Sequence, residues 1–124
     1  MAGILIVDDD DLTRGVIKRI LELGNHTIFQ VNNGQEALQV VSTAPIDLII
    51  TDILMPERDG LDVIAQVKGT HPWVKVLAYS GGGAHRDFDV LSLAKELGAH
   101  AAIQKPFSVS DLLSSVEKLL ARPT

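Results

Sequence analysis

Short runs of apolar residues alternate along this chain with longer stretches in which apolar residues return every three or four positions. The short runs fall at Ile4–Val7, Thr27–Val31, Asp47–Thr51, Val74–Tyr79 and Ala99–Gln104. The first, third and fourth are nearly continuous in apolar residues, as strands buried on both faces are. The intervening stretches have helical spacing. Leu12, Val16, Ile17, Ile20 and Leu21 form the first, with Gly24 where a C-terminal cap would stand. Asn33 is placed to cap a second helix carrying Ala37, Leu38, Val40 and Val41, with Glu36 in capping-box position. Leu61, Ile64 and Val67 mark a third helix after Gly60. A fourth follows Gly81–Gly83, with Phe88, Leu91, Ala94 and Leu97 inward and Gly98 as its stop. Ser108 or Ser110 caps the last, whose stripe is Leu112, Leu113, Val116, Leu119 and Leu120.

The order is therefore βα repeated along the whole chain, which predicts an α/β domain. Strands alternating with helices of this length imply a parallel sheet, right-handed crossovers and helices on both faces. Periodicity alone leaves the strand order open. With 124 residues, 46% of them hydrophobic and 22% charged, the chain is expected to form one globular domain over 1–124. Residues 122–124 read as a tail or the start of a linker. A net charge of −5 argues against direct nucleic-acid binding. No apolar run approaches the roughly 20 residues that span a bilayer, so no membrane partner is expected. The N-terminus lacks the charged and apolar regions of a signal peptide, and cysteine is absent. A cytoplasmic protein without disulfides, thiol catalysis or thiolate metal ligands is the expectation.

The polar residues fall at the ends of the strands. The first runs into Asp8 and Asp9, the third into Asp52, the fourth into Ser80 and the fifth into Lys105. In a parallel sheet these carboxyl ends share one edge, where open α/β sheets bind ligands. The edge thus gathers carboxylates, a hydroxyl and an ammonium. Carboxylates without histidine or cysteine suit Mg²⁺, Mn²⁺ or Ca²⁺ better than zinc. A lysine and a hydroxyl beside such an ion would meet phosphoryl oxygens. The constellation is that of a phosphoryl-handling site.

At this point four segments, ILIVDDD, DLIITDILMPERDG, VLAYSGG and AIQKPF, resemble in order and spacing the signature blocks of response-regulator receiver domains. The resemblance covers essentially the whole chain. It implies a flavodoxin-like, doubly wound, five-stranded parallel sheet of order 2-1-3-4-5 with five helices. It implies Asp52 as the phosphoacceptor, taking a phosphoryl group from a sensor histidine kinase or a histidine phosphotransfer protein. Asp9 would ligate Mg²⁺ directly, with Asp8 holding the ion directly or through water, Asp52 also contributing, and Leu54 offering its backbone carbonyl; Mn²⁺ is the second candidate ion. Ser80 would bond the new phosphoryl group and Lys105 would pair with it. Receivers assist their own phosphorylation and dephosphorylation only, and switch a surface of helix 4, strand 5 and helix 5. Dimerisation on that surface, the cognate kinase and the downstream effector or output domain stay open.

Other readings compete at single positions. Asp52 could be a strand-end turn residue, Lys105 a solvated surface lysine and Ser80 ordinary loop chemistry; the four blocks together favour the functional reading. Gly81–Gly83 lacks the Gly-Lys-Ser/Thr ending of a P-loop. His26, His71, His85 and His100 show no metal-ligand spacing, and Trp73 reads as packing at a helix–strand turn. Asp9 to Thr13 also satisfies the D-x-D-x-T pattern of haloacid-dehalogenase-like phosphatases, with Asp9 as nucleophile and Asp11 as acid/base; that leaves the Asp52 block unexplained. A degenerate receiver acting only as an interaction module is a third reading. Asp10 and Asp11 read as helix caps rather than ligands. One departure from the family stands out: the aromatic residue three before the lysine, which rotates inward on phosphorylation in many receivers, is Ala102 here. Tyr79 adjoins Ser80 but points to the opposite face, so it does not substitute; His100 shares the face of Ala102 and is a candidate to fill part of the gap.

Overall fold

Every residue of strands β1 (Gly3–Val7), β3 (Leu48–Asp52) and β4 (Lys75–Ser80) is buried, whereas β2 (Thr27–Val31) and β5 (Ala101–Gln104) are only partly so. That division is the signature of central and edge strands, and the sheet order is β2-β1-β3-β4-β5 with every neighbouring pair parallel. The computed structural model describes residues 2–53, 60–80, 92–104 and 107–121. Between the strands run α1 (Asp11–Leu21), α2 (Gly34–Thr43), α3 (Gly60–Thr70) and α4 (helical over 92–97), and α5 (Val109–Ala121) follows β5. The fold is the expected doubly wound, flavodoxin-like arrangement of five strands and five helices. Phe88, Leu91, Gly81–Gly83, His85 and 122–124, all part of the sequence expectations, lie outside the described residues.

Alternation along the strands divides the core into two layers. Leu5, Val7, Ile49, Val76 and Ala78 pack against Ala37 and Val41 of α2, Val63, Ile64 and Val67 of α3, and Ala94 of α4. On the other side Ile4, Ile6, Leu48, Ile50, Leu77 and Tyr79 meet Ile17 and Leu21 of α1 and Leu112, Val116 and Leu119 of α5. No helix among the described residues is long and apolar enough to cross a membrane.

Several boundaries differ from the sequence expectation, each for a local reason. The chain turns after α1 through a single 3₁₀ turn, Glu22–Gly24, and the left-handed residue is Asn25 (φ 62°), not Gly24. Asparagine tolerates that conformation because its short polar side chain bonds locally. Of the apolar positions in α1, Ile17 and Leu21 are buried, but Leu12 and Val16 are 76% and 50% exposed. Each lies a residue away from the inward stripe, about 100° around the helix. Strands β3 and β4 each run one residue further than the apolar pattern suggests, so Asp52 and Ser80 sit in the sheet. Strand β5 begins two residues late, because Gly98 (φ 131°) and Ala99 still donate their N–H groups to the Ala94 carbonyl at the end of α4.

The caps follow the sequence signals closely. Asn33 Oδ1 accepts from the Glu36 N–H at 2.9 Å, and its amide returns to Glu36 Oε1 at 3.1 Å. At α5 the choice falls on Ser108, whose Oγ accepts from the Asp111 N–H at 3.0 Å.

The layer assignment makes a contrast measurable by urea denaturation. Ile50→Ala empties a fully buried central-strand position and is expected to cost about 2–5 kcal/mol. Leu12→Ala, on a mostly exposed position, should change stability by no more than about 0.5 kcal/mol. Equal losses would contradict the packing.

Candidate functional site

Asp8 is the first residue after β1 and is fully buried. Its backbone continues the ladder, donating its N–H to the Val31 carbonyl at 3.3 Å, so the side chain leaves the sheet in register rather than from a loose loop. Asp8 Oδ1 accepts the Asp10 N–H at 2.8 Å, and Oδ2 accepts the hydroxyl of Tyr79 from β4. The Asp8 carbonyl is held from α1 by Arg14, whose Nη1 donates to it at 2.8 Å. Arg14 in turn pairs with Asp11 at 2.5 Å. Asp10 is the N-cap of α1, accepting from the Leu12 N–H at 3.2 Å and from the Thr13 hydroxyl at 2.5 Å. The four consecutive aspartates therefore separate: Asp8 turns into the sheet edge, Asp9 is exposed, and Asp10 and Asp11 belong to the helix start, as their cap reading anticipates.

Asp52 ends β3, only 9% exposed, on the same face as Asp8, because Ile6 and Ile50, two residues earlier on each strand, both line the α1/α5 layer. Asp8, Asp9 and Asp52 each bring a carboxylate oxygen within 4.8 Å of the others. Oxygens around one octahedral Mg²⁺ lie about 3 Å apart when adjacent and about 4.2 Å when opposite, from metal–oxygen distances near 2.1 Å. The cluster is thus close to the size of one small, hard cation, and its all-oxygen donor set has the right chemistry. Asp9, open to solvent, leaves room for the waters that such an ion retains. Asp11 is not part of the cluster; its carboxylate, 87% exposed, is committed to Arg14.

Ser80 closes β4 and is fully buried, one position beyond Tyr79, which pairs in register with Asp52. Its own register partner is Gln104, the residue before Lys105. Lys105 and Leu54 lie outside the described residues. Gly60, at the start of α3, sits directly against the end of β3: its N–H donates to the Ile53 carbonyl at 2.8 Å, and a Cβ there would come within 2.2 Å of the Asp52 carbonyl oxygen. The seat of Asp52 is therefore shared between the sheet and α3.

Tyr79 is the site residue that sequence reasoning missed. It does face away from Ser80, as expected, but that face is the one Asp8 and Asp52 occupy. Alternation counted across three strands, rather than along β4 alone, would have found it. Its ring stacks edge-on against Phe107, with centroids 5.9 Å apart and planes at 72°. Burial, then the hydrogen bond to Asp8, then the negative charges of Asp8, Asp52 and Asp10, push its hydroxyl far above the ordinary tyrosine range, so it remains a donor. His100 does not occupy the space by Ala102 near Ser80. Its Nδ1 accepts the Val76 N–H at 3.1 Å, toward the start of β4, which ties the ring to the far end of the strand.

Known proteins share this fold. The family model for the response regulator receiver domain matches residues 4–117. The chain is 33% identical over 116 residues to the DNA-binding transcriptional regulator NtrC of Escherichia coli (strain K12), covering 94% of this chain and 24% of that protein. It is 34% identical over 122 residues to the transcriptional regulatory protein PdtaR of Mycobacterium tuberculosis (strain ATCC 25618 / H37Rv), covering 96% and 57%. The chain thus spans well under two thirds of the length of both relatives. Among solved structures, a response regulator receiver domain protein from Clostridium thermocellum superposes with a TM-score of 0.88 at 29% identity, covering 97% of this chain and 94% of that one.

The close approach of Gly60 to Asp52 has a measurable consequence. Gly60→Ala must displace α3 or the end of β3 and is expected to cost about 1–3 kcal/mol. Gly69→Ala in the same helix meets nothing within 4 Å and should be neutral or stabilising. Chemical denaturation of the two variants checks the difference, and a harmless Gly60→Ala would refute the contact.

Proposed function

The chain belongs to the response regulator receiver domain family, and from that membership we propose that it carries the phosphoryl switch of a two-component system, with Asp52 as acceptor. Receiver domains of response regulators are signalling domains rather than enzymes with turnover. The observation that supports Asp52 is the convergence of three carboxylates from the ends of β1 and β3 within 4.8 Å. A bound Mg²⁺ would supply, at such a cluster, positive charge that phosphoryl transfer requires.

The residues themselves divide the work. An Asp52 carboxylate oxygen attacks the phosphorus of a phosphohistidine on the partner kinase or phosphotransfer protein. The P–N bond breaks as the O–P bond forms, and the departing imidazole nitrogen keeps the electron pair and takes up a proton from solvent. Asp8, Asp9 and the backbone carbonyl of Leu54 would hold the ion together with Asp52. The Ser80 hydroxyl donates to a phosphoryl oxygen, and the Lys105 ammonium pairs with another. A carboxylate is a weak nucleophile, so the Lys105 ammonium, with a bound ion, would make the reaction feasible by neutralising the phosphoryl charge rather than by activating Asp52. The resulting acyl phosphate is labile, which suits a timed signal. With Ala102 offering no ring, the change reaches the α4–β5–α5 surface through Ser80 and the segment that follows it.

Two measurements test the reading. Acetyl phosphate with Mg²⁺ should label the parent chain, and Asp52→Asn should abolish labelling; labelling that persists in Asp52→Asn but is lost in Asp9→Asn would move the acceptor to Asp9. In a thermal scan Mg²⁺ should raise the melting temperature, because the ion relieves carboxylate repulsion present only in the folded chain. A scan indifferent to Mg²⁺ would count against the site.

A further inference from the structure

Asp8 is gripped from two directions. The Asp10 N–H, from its own loop, takes Oδ1, and the Tyr79 hydroxyl takes Oδ2. The second grip is unusual in its reach. Strand β3 lies between β1 and β4, so the Tyr79 side chain passes over the end of β3, on the face of its register partner Asp52, to arrive at Asp8. The ring has little freedom: it is fully buried, its strand is central, and Phe107 meets it edge-on. Asp8 itself is fully buried, so no bulk solvent is available to orient the carboxylate in place of these donors.

We propose that Tyr79 is a positioning residue for the divalent cation: its hydroxyl fixes the plane and rotamer of Asp8, so that the carboxylate is presented toward Asp9 and Asp52. The proposal rests on the reading of Asp8, Asp9 and Asp52 as the ion's ligands. Outer hydrogen bonds of this kind orient first-shell carboxylates, and their loss typically weakens metal binding about 10–100-fold. Phenylalanine at this position keeps the ring and its contact with Phe107 but leaves one Asp8 oxygen without its donor. The effect is confined to how the cation is held, since Tyr79 forms no bond to phosphorus.

The experiment is Mn²⁺ binding followed by electron paramagnetic resonance, on the full chain and on Tyr79→Phe, with Mg²⁺ as competitor. Tyr79→Phe should bind Mn²⁺ about 10-fold more weakly. Its acetyl phosphate labelling, slow at limiting Mg²⁺, should return to within about 2-fold of the parent at saturating Mg²⁺, a recovery that general structural damage would not show. Equal binding, or tighter binding because the hydroxyl competes with the ion, overturns the proposal while leaving the receiver reading intact. A parent chain that binds no Mn²⁺ overturns both. Should Tyr79→Phe fail to fold, the parent supplies the answer, because the chain has a single tyrosine. In protein grown with 3-fluorotyrosine, the one fluorine resonance belongs to Tyr79 and should move as Mg²⁺ is added, in step with ion binding. A resonance that stays in place through saturation, or moves equally in Asp8→Asn, rejects the coupling.

Discussion

Carboxylates brought together at the edge of a low-dielectric core repel one another, and here the register of the sheet enforces that meeting. Asp8 and Asp52, both buried, approach within 4.8 Å because β1 and β3 are parallel neighbours with Val7 opposite Thr51. At an effective dielectric near 20 such a pair costs about 3–4 kcal/mol. That is a substantial fraction of the roughly 5–15 kcal/mol by which domains are stable. The sheet must therefore be strong enough to hold its charged edge together. Three contiguous strands buried on both faces, with an apolar layer on each side, provide that strength.

Around this edge the chain distributes compensation unevenly. Asp8 receives a backbone donor and a phenolic donor; Arg14 takes the Asp8 carbonyl and Asp11. Asp10 is satisfied by the open N–H groups of α1. Asp8, Asp9 and Asp52 instead meet one another, in the three-carboxylate cluster at the sheet edge. Arg14 is spent on a carbonyl and a helix-end carboxylate. This division explains how four adjacent aspartates are tolerated: two are absorbed by a helix terminus, and two are left at an edge suited to an external ion.

Much of this was legible in the sequence because it depended on short-range regularities. Continuous apolar runs marked β1, β3 and β4 as central, and Asn33 with Glu36, like Ser108, announced helix starts that the structure bears out. The strand order came from family resemblance, since periodicity carries no information about which strands are neighbours. The misses share a different cause. Leu12 and Val16 look like core residues at helical spacing, yet the inward stripe of α1 passes beside them. The left-handed residue after α1 is Asn25 because a 3₁₀ turn delays the reversal past Gly24. His100 and Tyr79 required knowing which atoms across the sheet would meet them, Val76 N–H and Asp8 Oδ2 respectively. Pairwise partners across strands, whether adjacent like Val76 and His100 or separated by β3 like Asp8 and Tyr79, are invisible to a pattern read along one strand.

Strand β4 ends by sending two consecutive side chains to opposite faces, Tyr79 to one and Ser80 to the other. Tyr79 belongs to the α1/α5 layer, where it joins Asp8 to Phe107 at the approach to α5. Ser80, by alternation, belongs to the side of Ala78 and Ala102, the layer of α2, α3 and α4. On that second side β4 and β5 meet through small residues, Ala78 opposite Ala102. The first side is filled by a buried aromatic held at both ends, its hydroxyl by Asp8 and its ring by Phe107. The sheet end is thus asymmetric: the aromatic ring at 79 lies on the side that carries Asp8 and Asp52, and alanines at 78 and 102 face each other on the other side.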